Sequence, residues 1–199
     1  TTNQFLLQNN VSQIENFSNF YSGTTNIACV TGFLGTGKME IVKYSLSLLA
    51  PEVVVFKYTC FQSTVLDDIL LAFFIEFKKL FSQKKIEEPK FRSENFAQKI
   101  NSYFLKIEKP FVIVLDSFNE IKKENKQEIF DFVEHLSTLG KVKIIMISKT
   151  FPSEVFAGKS TKYERIAIKA LEQGLFEKYL KFEKIKYNSN LLEKLYSST

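Results

Sequence analysis

The chain has 199 residues, of which 45% are hydrophobic, 21 are phenylalanine and none is tryptophan. Its formal net charge is +5, but the lysines alternate with glutamates instead of forming a basic run, so a nucleic-acid partner stays open without being favoured. Because no segment has the length and apolarity of a membrane span, no secretory signal precedes the domain and the two cysteines form no disulfide framework, we expect a cytoplasmic protein without a membrane partner.

The amino end is predicted to be a polar lead over residues 1–10, followed by a helix over residues 11–20. We separate this part, residues 1–22, from the main domain. The main domain, residues 23–171, begins with a strand-like apolar run over residues 26–31.

A glycine-rich loop follows this first strand. Residues 32–39 read GFLGTGKM and fit the phosphate-binding pattern G-x-x-x-x-G-K-[ST] at every specified position except the last. Glycines let backbone N–H groups converge on phosphate oxygens, and the lysine reaches the terminal phosphates as a point charge. The residues that we expect to contact a nucleotide here are Gly32, Gly35, Thr36, Gly37, Lys38 and Met39. A strand-to-helix turn without a ligand is the alternative interpretation.

Met39 stands where the pattern has serine or threonine. A thioether offers Mg²⁺ no hard oxygen ligand, so weakened coordination of this ion is expected. The sequence therefore supports nucleotide binding more strongly than catalysis.

The next predicted elements are a helix over 38–50, a strand over 53–58, a helix over 66–80 and a helix over 96–107. Thr64 and Asp67 have the spacing of a capping box before the third of these elements. A charged loop that holds Pro89 leads to Ser93, the predicted cap of the fourth.

A continuous apolar run over residues 111–115 predicts a central parallel strand that is covered on both faces. It ends in Asp116, which at the carboxyl end of such a strand can hold Mg²⁺ near bound phosphates. Glu120 follows four residues later and is a candidate to polarise an attacking water. The alternatives are that Asp116 caps a turn and that Glu120 is only solvated.

The remaining predicted elements are a helix over 129–136, a strand over 143–147, a strand over 166–171, and helices that include Tyr179, Leu180, Leu191, Leu192 and Leu195. The alternation of strands and helices predicts an α/β fold with a parallel sheet between two helical layers.

The loop at 32–38 and the sequence DSFNE at 116–120 resemble the STAND branch of AAA+-related P-loop ATPases, particularly its NACHT-like members. Asn119 stands where that family usually has a second Asp. Ser148 and Lys149 resemble the family's first sensor, which often reads Ser-Arg, and the resemblance implies that Lys149 contacts the nucleotide. The resemblance implies a five-stranded P-loop NTPase sheet of order 5-1-4-3-2, with residues 172–199 as the truncated beginning of a helical lid domain.

The resemblance also implies the function. It identifies ATP or ADP and Mg²⁺ as cofactors, Asp116 as the metal ligand, and Asp116 and Glu120 as the catalytic pair. The domain would act as a nucleotide-dependent conformational switch that contacts partner domains or further copies of itself, with slow ATP hydrolysis left open. The alternatives are a DNA-associated AAA+ ATPase of the origin-recognition or clamp-loader type and a pseudo-ATPase interaction module.

Overall fold

A computed structural model describes residues 2–80, 96–106, 109–185 and 188 of the chain. Within these residues the strands are β1 (Ile27–Thr31), β2 (Val54–Thr59), β3 (Phe111–Asp116), β4 (Val142–Ser148) and β5 (Glu164–Ala167). The α-helices are α1 (Thr2–Asn9), α2 (Val11–Ser22), α3 (Lys38–Ser47), α4 (Leu66–Leu80), α5 (Phe96–Lys106), α6 (Lys123–Ser137), α7 (Ser153–Phe156) and α8 (Gln173–Phe182). A short 3-10 helix, η1 (Phe118–Glu120), follows β3.

The five strands form one parallel sheet in the order β2-β3-β4-β1-β5. This is the predicted order 5-1-4-3-2 counted from the other edge, so the predicted α/β P-loop fold is confirmed. The central strands are covered on both faces, because alternate residues of β1 and β3 belong to two separate core clusters. Every side chain of the apolar run before Asp116 is buried.

Phenylalanine side chains fill the core on one face of the sheet. Phe56, Phe77, Phe104 and Phe111 are each no more than 2% exposed. The rings of Phe77 and Phe104 meet edge to face with 4.6 Å between centroids, and those of Phe104 and Phe111 stack at 5.1 Å. Aromatic pairs of this geometry stabilise a core beyond the effect of area burial alone. Core packing therefore accounts for these rings.

The prediction of a polar lead at the amino end was wrong, because α1 is helical from Thr2 to Asn9. Leu6 and Leu7 pack against the second core cluster, which lies on the α2 and α3 side of the sheet. Phe5 makes edge contacts with two aromatic rings of α8. Three apolar residues in a polar segment are a weak periodic signal, and it is tertiary packing that stabilises this short helix.

Several boundaries differ from their predictions by a few residues. The helix after the loop ends at Ser47, α6 starts at Lys123, and β5 covers only Glu164–Ala167. The predicted capping box was also misplaced: the Val65 N–H donates to Asp68 Oδ2 at 3.1 Å, whereas Thr64 Oγ1 accepts from the Phe61 N–H at 2.8 Å.

Part of the predicted organisation lies outside the described residues. This applies to the charged loop with Pro89, the Ser93 cap and the second lid helix with Leu191, Leu192 and Leu195. Of the predicted lid, α8 is described. No helix in the described ranges is long and apolar enough to cross a membrane.

Candidate functional site

The predicted site residues meet at the carboxyl edge of the sheet. The loop over residues 32–37 joins β1 to α3, Asp116 ends β3, and Lys149 follows β4. Because β4 lies between β1 and β3, all three segments converge at one point of this edge. Ligands of open parallel sheets bind in this position.

Two glycines of the loop adopt backbone conformations that other residues rarely take. Gly32 has φ 157°, and a Cβ added there would lie 2.8 Å from both Ile168 O and Thr36 Oγ1. Gly37 has φ 74°, and its Cβ would lie 2.4 Å from Cδ2 of Leu6 on α1. The backbone conformation favours glycine at both positions, and at Gly32 the close approach of the Ile168 carbonyl oxygen also requires it.

Lys38 folds back over the loop that precedes it. Its Nζ donates to the carbonyl oxygens of Gly32 at 2.6 Å and Phe33 at 2.8 Å. Burial lowers the pKa of Lys38, Asp116 opposes this shift, and Lys149 adds to it. Two ammonium groups that repel each other at the loop form a place where an anion is favoured.

A shallow pocket of about 100 Å³ lies in front of Lys38. Its walls come from Leu34, Lys38, Asp116, Ser117, Asn119, Glu120, Ile147, Ser148 and Lys149. The structure thus brings four predicted site residues together: Lys38, Asp116, Glu120 and Lys149. This volume is below the range of about 300–1,000 Å³ that is usual for small-molecule sites, so it would admit phosphate groups but not a whole nucleotide.

Two other predicted contact residues turn their side chains away from this pocket. The Thr36 hydroxyl is buried and donates to Phe33 O at 2.9 Å, which closes the loop on itself. Met39 packs against the core cluster that also holds Ile41 and Val42 of the same helix. Gly35 lies at the loop tip with open space around it.

Asn119 connects the acidic segment with the end of β4. Its Nδ2 donates to Glu120 Oε1 at 2.6 Å. Its Oδ1 accepts from the Lys149 N–H at 2.8 Å and from Ser148 Oγ at 3.4 Å. Glu120, Ser148 and Lys149 are therefore joined by one side chain.

Ser117 and Ser148 line the pocket but were not among the predicted site residues. Ser117 has φ 60°, a left-handed conformation that is strained for a residue with a Cβ. The small residue directly after Asp116 was visible in the sequence, but its backbone conformation was not. Cys60 is buried, its N–H donates to Asp116 O at 2.8 Å, and burial raises the pKa of its thiol to about 12.

The donor set is compatible with a phosphate-bound magnesium ion. Nowhere in the described ranges do three or more His, Cys, Asp or Glu side chains gather to hold a metal. Mg²⁺ is usually held by one or two carboxylates together with substrate phosphates, and Asp116 and Glu120 line the same pocket. The side chain of Met39 contributes no oxygen ligand.

The loop is supported from one side and open on the other. Leu6 of α1 packs directly on Gly37, as the close approach at that glycine shows. Phe33 and Leu34, in contrast, are 63% and 90% exposed at the tip. The amino-terminal helix therefore forms part of the loop's structural support, which the sequence did not reveal.

No protein-family model and no curated protein matches the chain. Solved structures do. The structure of the Orc1 protein of Aeropyrum pernix in complex with DNA is similar with a TM-score of 0.63 and 14% identity, over 87% of this chain and 48% of that one. The Walker-type ATPase of Pyrococcus abyssi is similar with a TM-score of 0.55 and 10% identity, over 92% of this chain and 61% of that one.

A third similar structure is that of Drosophila ORC bound to AT-rich DNA and Cdc6, with a TM-score of 0.57 and 10% identity. The similarity covers all of this chain and 65% of that one. The chain spans about half to two thirds of the length of these structures. At such identities the likeness establishes the fold alone, a parallel α/β sheet of the kind found in these proteins.

Proposed function

We propose that the domain binds ATP and acts as a nucleotide-dependent conformational switch. The main support for this proposal is that Lys38, Lys149, Asp116 and Glu120 line the same pocket beside the glycine-rich loop. Two cations suit a polyphosphate, and two acids suit the metal ion that accompanies it.

Binding would exchange the partners of Lys38. The ammonium group leaves the carbonyl oxygens of Gly32 and Phe33, and phosphate oxygens replace them as charge-assisted acceptors. The loop N–H groups and the amino end of α3 add further donors. Asp116 would hold Mg²⁺, which when bound neutralises charge on the phosphates.

Hydrolysis is expected to be slow. Glu120 would orient a water, but Met39 would give Mg²⁺ no oxygen ligand. The one arginine in the described part of the chain, Arg165, lies over the Phe151 ring at 3.7 Å and not in the pocket. An arginine at the γ-phosphate is worth roughly 10³ to 10⁵ in rate, so its absence from the pocket favours a binding role over fast turnover.

The switch would operate through α8. Phe5 of α1 contacts Phe182 of α8, and Leu6 of the same helix touches the loop at Gly37. A nucleotide that orders the loop would thereby favour one position of α8, and each state would present a different surface to partner domains or to a second copy. A regulatory ATPase of the STAND type would use the domain in this way.

A DNA-associated ATPase of the origin-recognition type is an equally supported second candidate. The observation in its favour is that two of the similar folds, Orc1 of Aeropyrum pernix and Drosophila ORC, are bound to DNA. Both functions require the same nucleotide site. A pseudo-ATPase interaction module would retain the fold without that site.

Lys38→Ala tests the common element of the first two functions. It removes a cation from the pocket without touching the core, so ATP affinity should fall at least tenfold while the domain stays folded. Lys43→Ala is the matched control, because Lys43 lies on the same helix in an exposed pair with Glu40, with Nζ and Oε1 2.6 Å apart. Calorimetric titration of both variants gives the result. Unchanged affinity in a folded Lys38→Ala protein, or no ATP binding by the parent, would contradict the proposal.

A further inference from the structure

We propose that Asn119 is a positioning residue that fixes the Glu120 carboxylate against the end of β4. The proposal deepens the proposed function, because the role of Glu120 rests on ATP being the ligand. The positioning itself is a property of the ligand-free protein and can be measured separately.

The geometry uses both ends of the Asn119 amide. Nδ2 donates to Glu120 Oε1 at 2.6 Å, and a hydrogen bond to a carboxylate is stronger than one between neutral groups. Oδ1 accepts from the backbone N–H of Lys149 at 2.8 Å, with Ser148 Oγ further away at 3.4 Å. The carboxylate is thereby connected through one rigid group to the backbone at the end of a central strand.

The chemistry requires an amide and not an acid. An ionised aspartate at position 119 accepts hydrogen bonds but donates none, so it could keep the bond from Lys149 and would lose the one to Glu120. It would also place two carboxylates side by side, where like charges repel. Asn119 therefore has a positive role here, and its difference from aspartate does not by itself indicate lost chemistry.

The hydrogen bonds of Asn119 also connect the basic Lys149 with the acidic Glu120, and both residues line the pocket. The Lys149 side chain lines the pocket, and the N–H of the same residue is held by Asn119. An anion that draws Lys149 inward would shift this N–H and, through the amide, the carboxylate of Glu120. Asn119 is therefore placed to make the position of Glu120 depend on whether the pocket is filled.

The first experiment uses the ligand-free protein and nuclear magnetic resonance. Glu120→Gln should shift the side-chain amide signal of Asn119, and Asn119→Ala should shift the backbone amide signal of Lys149. Asn125→Ala is the matched control, because Asn125 Nδ2 also donates to a carbonyl, that of Thr64 at 3.1 Å, but its residue does not line the pocket. If neither signal moves beyond the change seen in the control, the positioning proposal is overturned.

The second experiment asks whether Asn119 acts through Glu120. Single-turnover ATP hydrolysis is followed over hours in the parent, Asn119→Asp, Asn119→Ala, Glu120→Gln and the Asn119→Ala/Glu120→Gln double variant. Each Asn119 variant should lose at least tenfold in rate with ATP affinity within threefold of the parent. In the Glu120→Gln background Asn119→Ala should cause no further loss, because residues that act as a unit are not additive.

Additive losses in the double variant, or a loss of affinity in place of rate, would mean that Asn119 supports the fold alone. A parent that binds ATP and releases no phosphate would overturn the role of Asn119 in hydrolysis, but not its contact with Glu120 in the ligand-free protein. Failure of the parent to bind ATP would instead contradict the proposed function, while the ligand-free amide signals would still decide whether Asn119 holds Glu120.

Discussion

Met39 is the residue at which this loop departs most from the phosphate-binding pattern, and its surroundings explain how the departure is tolerated. The side chain packs against the core cluster between the sheet and helices α2 and α3. Compared with the serine or threonine of the pattern, methionine offers no oxygen ligand to a metal ion. Its thioether side chain instead gives the helix a hydrophobic contact.

Met39→Thr should reverse this exchange. We expect ATP affinity to depend more strongly on Mg²⁺ in the variant than in the parent, because a hydroxyl is a hard ligand for that ion. The same change should lower the free energy of unfolding by about 1 kcal/mol, since apolar contact is lost. ATP affinity measured with Mg²⁺ and with a chelator tests the first effect, and chemical denaturation tests the second.

Met39→Leu is the control for this prediction, because it keeps the apolar volume and adds no oxygen. It should leave the Mg²⁺ dependence of the parent unchanged and cost little stability. A parent that already requires Mg²⁺ strongly, with a requirement that Met39→Thr does not alter, would show that this position does not limit metal binding.

For individual residues, the sequence predicted those site residues whose chemistry follows from residue type and spacing. Lys38, Asp116, Glu120 and Lys149 were predicted as site residues, and the structure places all four on one pocket. The hydrogen bonds of Asn119 could not be predicted, because their partners lie 1 and 30 positions away and meet only when β3 and β4 pair.

The amino-terminal helix α1 is one of the elements that the sequence failed to predict, and two asparagines hold it in place. Asn10 is fully buried; its Oδ1 accepts from the Lys169 N–H at 3.0 Å and its Nδ2 donates to Leu6 O at 3.1 Å. Asn9, which is more exposed, bonds to Ala170 O and the Glu172 N–H. These bonds join α1 to the segment that leads from β5 into α8.

Asn10→Ala should therefore destabilise the domain. It removes the buried Asn10 amide and leaves the partly buried N–H of Lys169 without the partner it has in the parent, and an unsatisfied buried donor costs about 1–3 kcal/mol. Chemical denaturation measures the change in the free energy of unfolding. Asn9→Ala is the matched control and should cost less, because water can replace its exposed bonds. Equal losses in the two variants would contradict the assigned role of burial.

The contacts of α1 with distant segments explain why hydrophobic periodicity did not predict this helix. A helix of eight residues is marginal in isolation, so its stability comes from Phe5, Leu6 and the two asparagines meeting distant segments. The longer segments α4 and α6 were predicted to be helices, because an apolar face that continues over several turns is visible in the local sequence. Their ends depended on caps such as Asp68, which pairs with the Val65 N–H and not at the predicted position.

For the whole molecule, residue patterns indicated a parallel α/β sheet, but the strand order came from the resemblance to P-loop ATPases. Hydrophobic periodicity reports which face of a strand is buried, and it carries no information on which strands are neighbours. The order β2-β3-β4-β1-β5 is confirmed because that resemblance held at the level of the fold.

The net charge of +5 is a whole-molecule property that bears on the choice between the two proposed functions. Several lysines of the described surface are paired with acids, so their charge is locally balanced. The pairs are Lys43 with Glu40, Lys79 with Glu76, Lys126 with Glu154, and Lys159 with Asp131 and Glu134. A surface of interspersed charges offers few adjacent cations to a phosphate backbone.

We therefore expect the chain to bind duplex DNA weakly and with little dependence on salt. If about two phosphates are contacted, affinity should fall about tenfold between 50 and 200 mM salt, whereas six to ten contacts would lower it by roughly 10³ to 10⁵. Fluorescence anisotropy with a labelled duplex, with and without ATP, gives the slope, and Lys38→Ala serves as the control for any effect of the nucleotide. A steep salt dependence in the parent would favour the origin-recognition function over the signalling switch, because dispersed and paired lysines could not produce a steep slope. The DNA would then have to be contacted by lysines that lie together on one face of the fold.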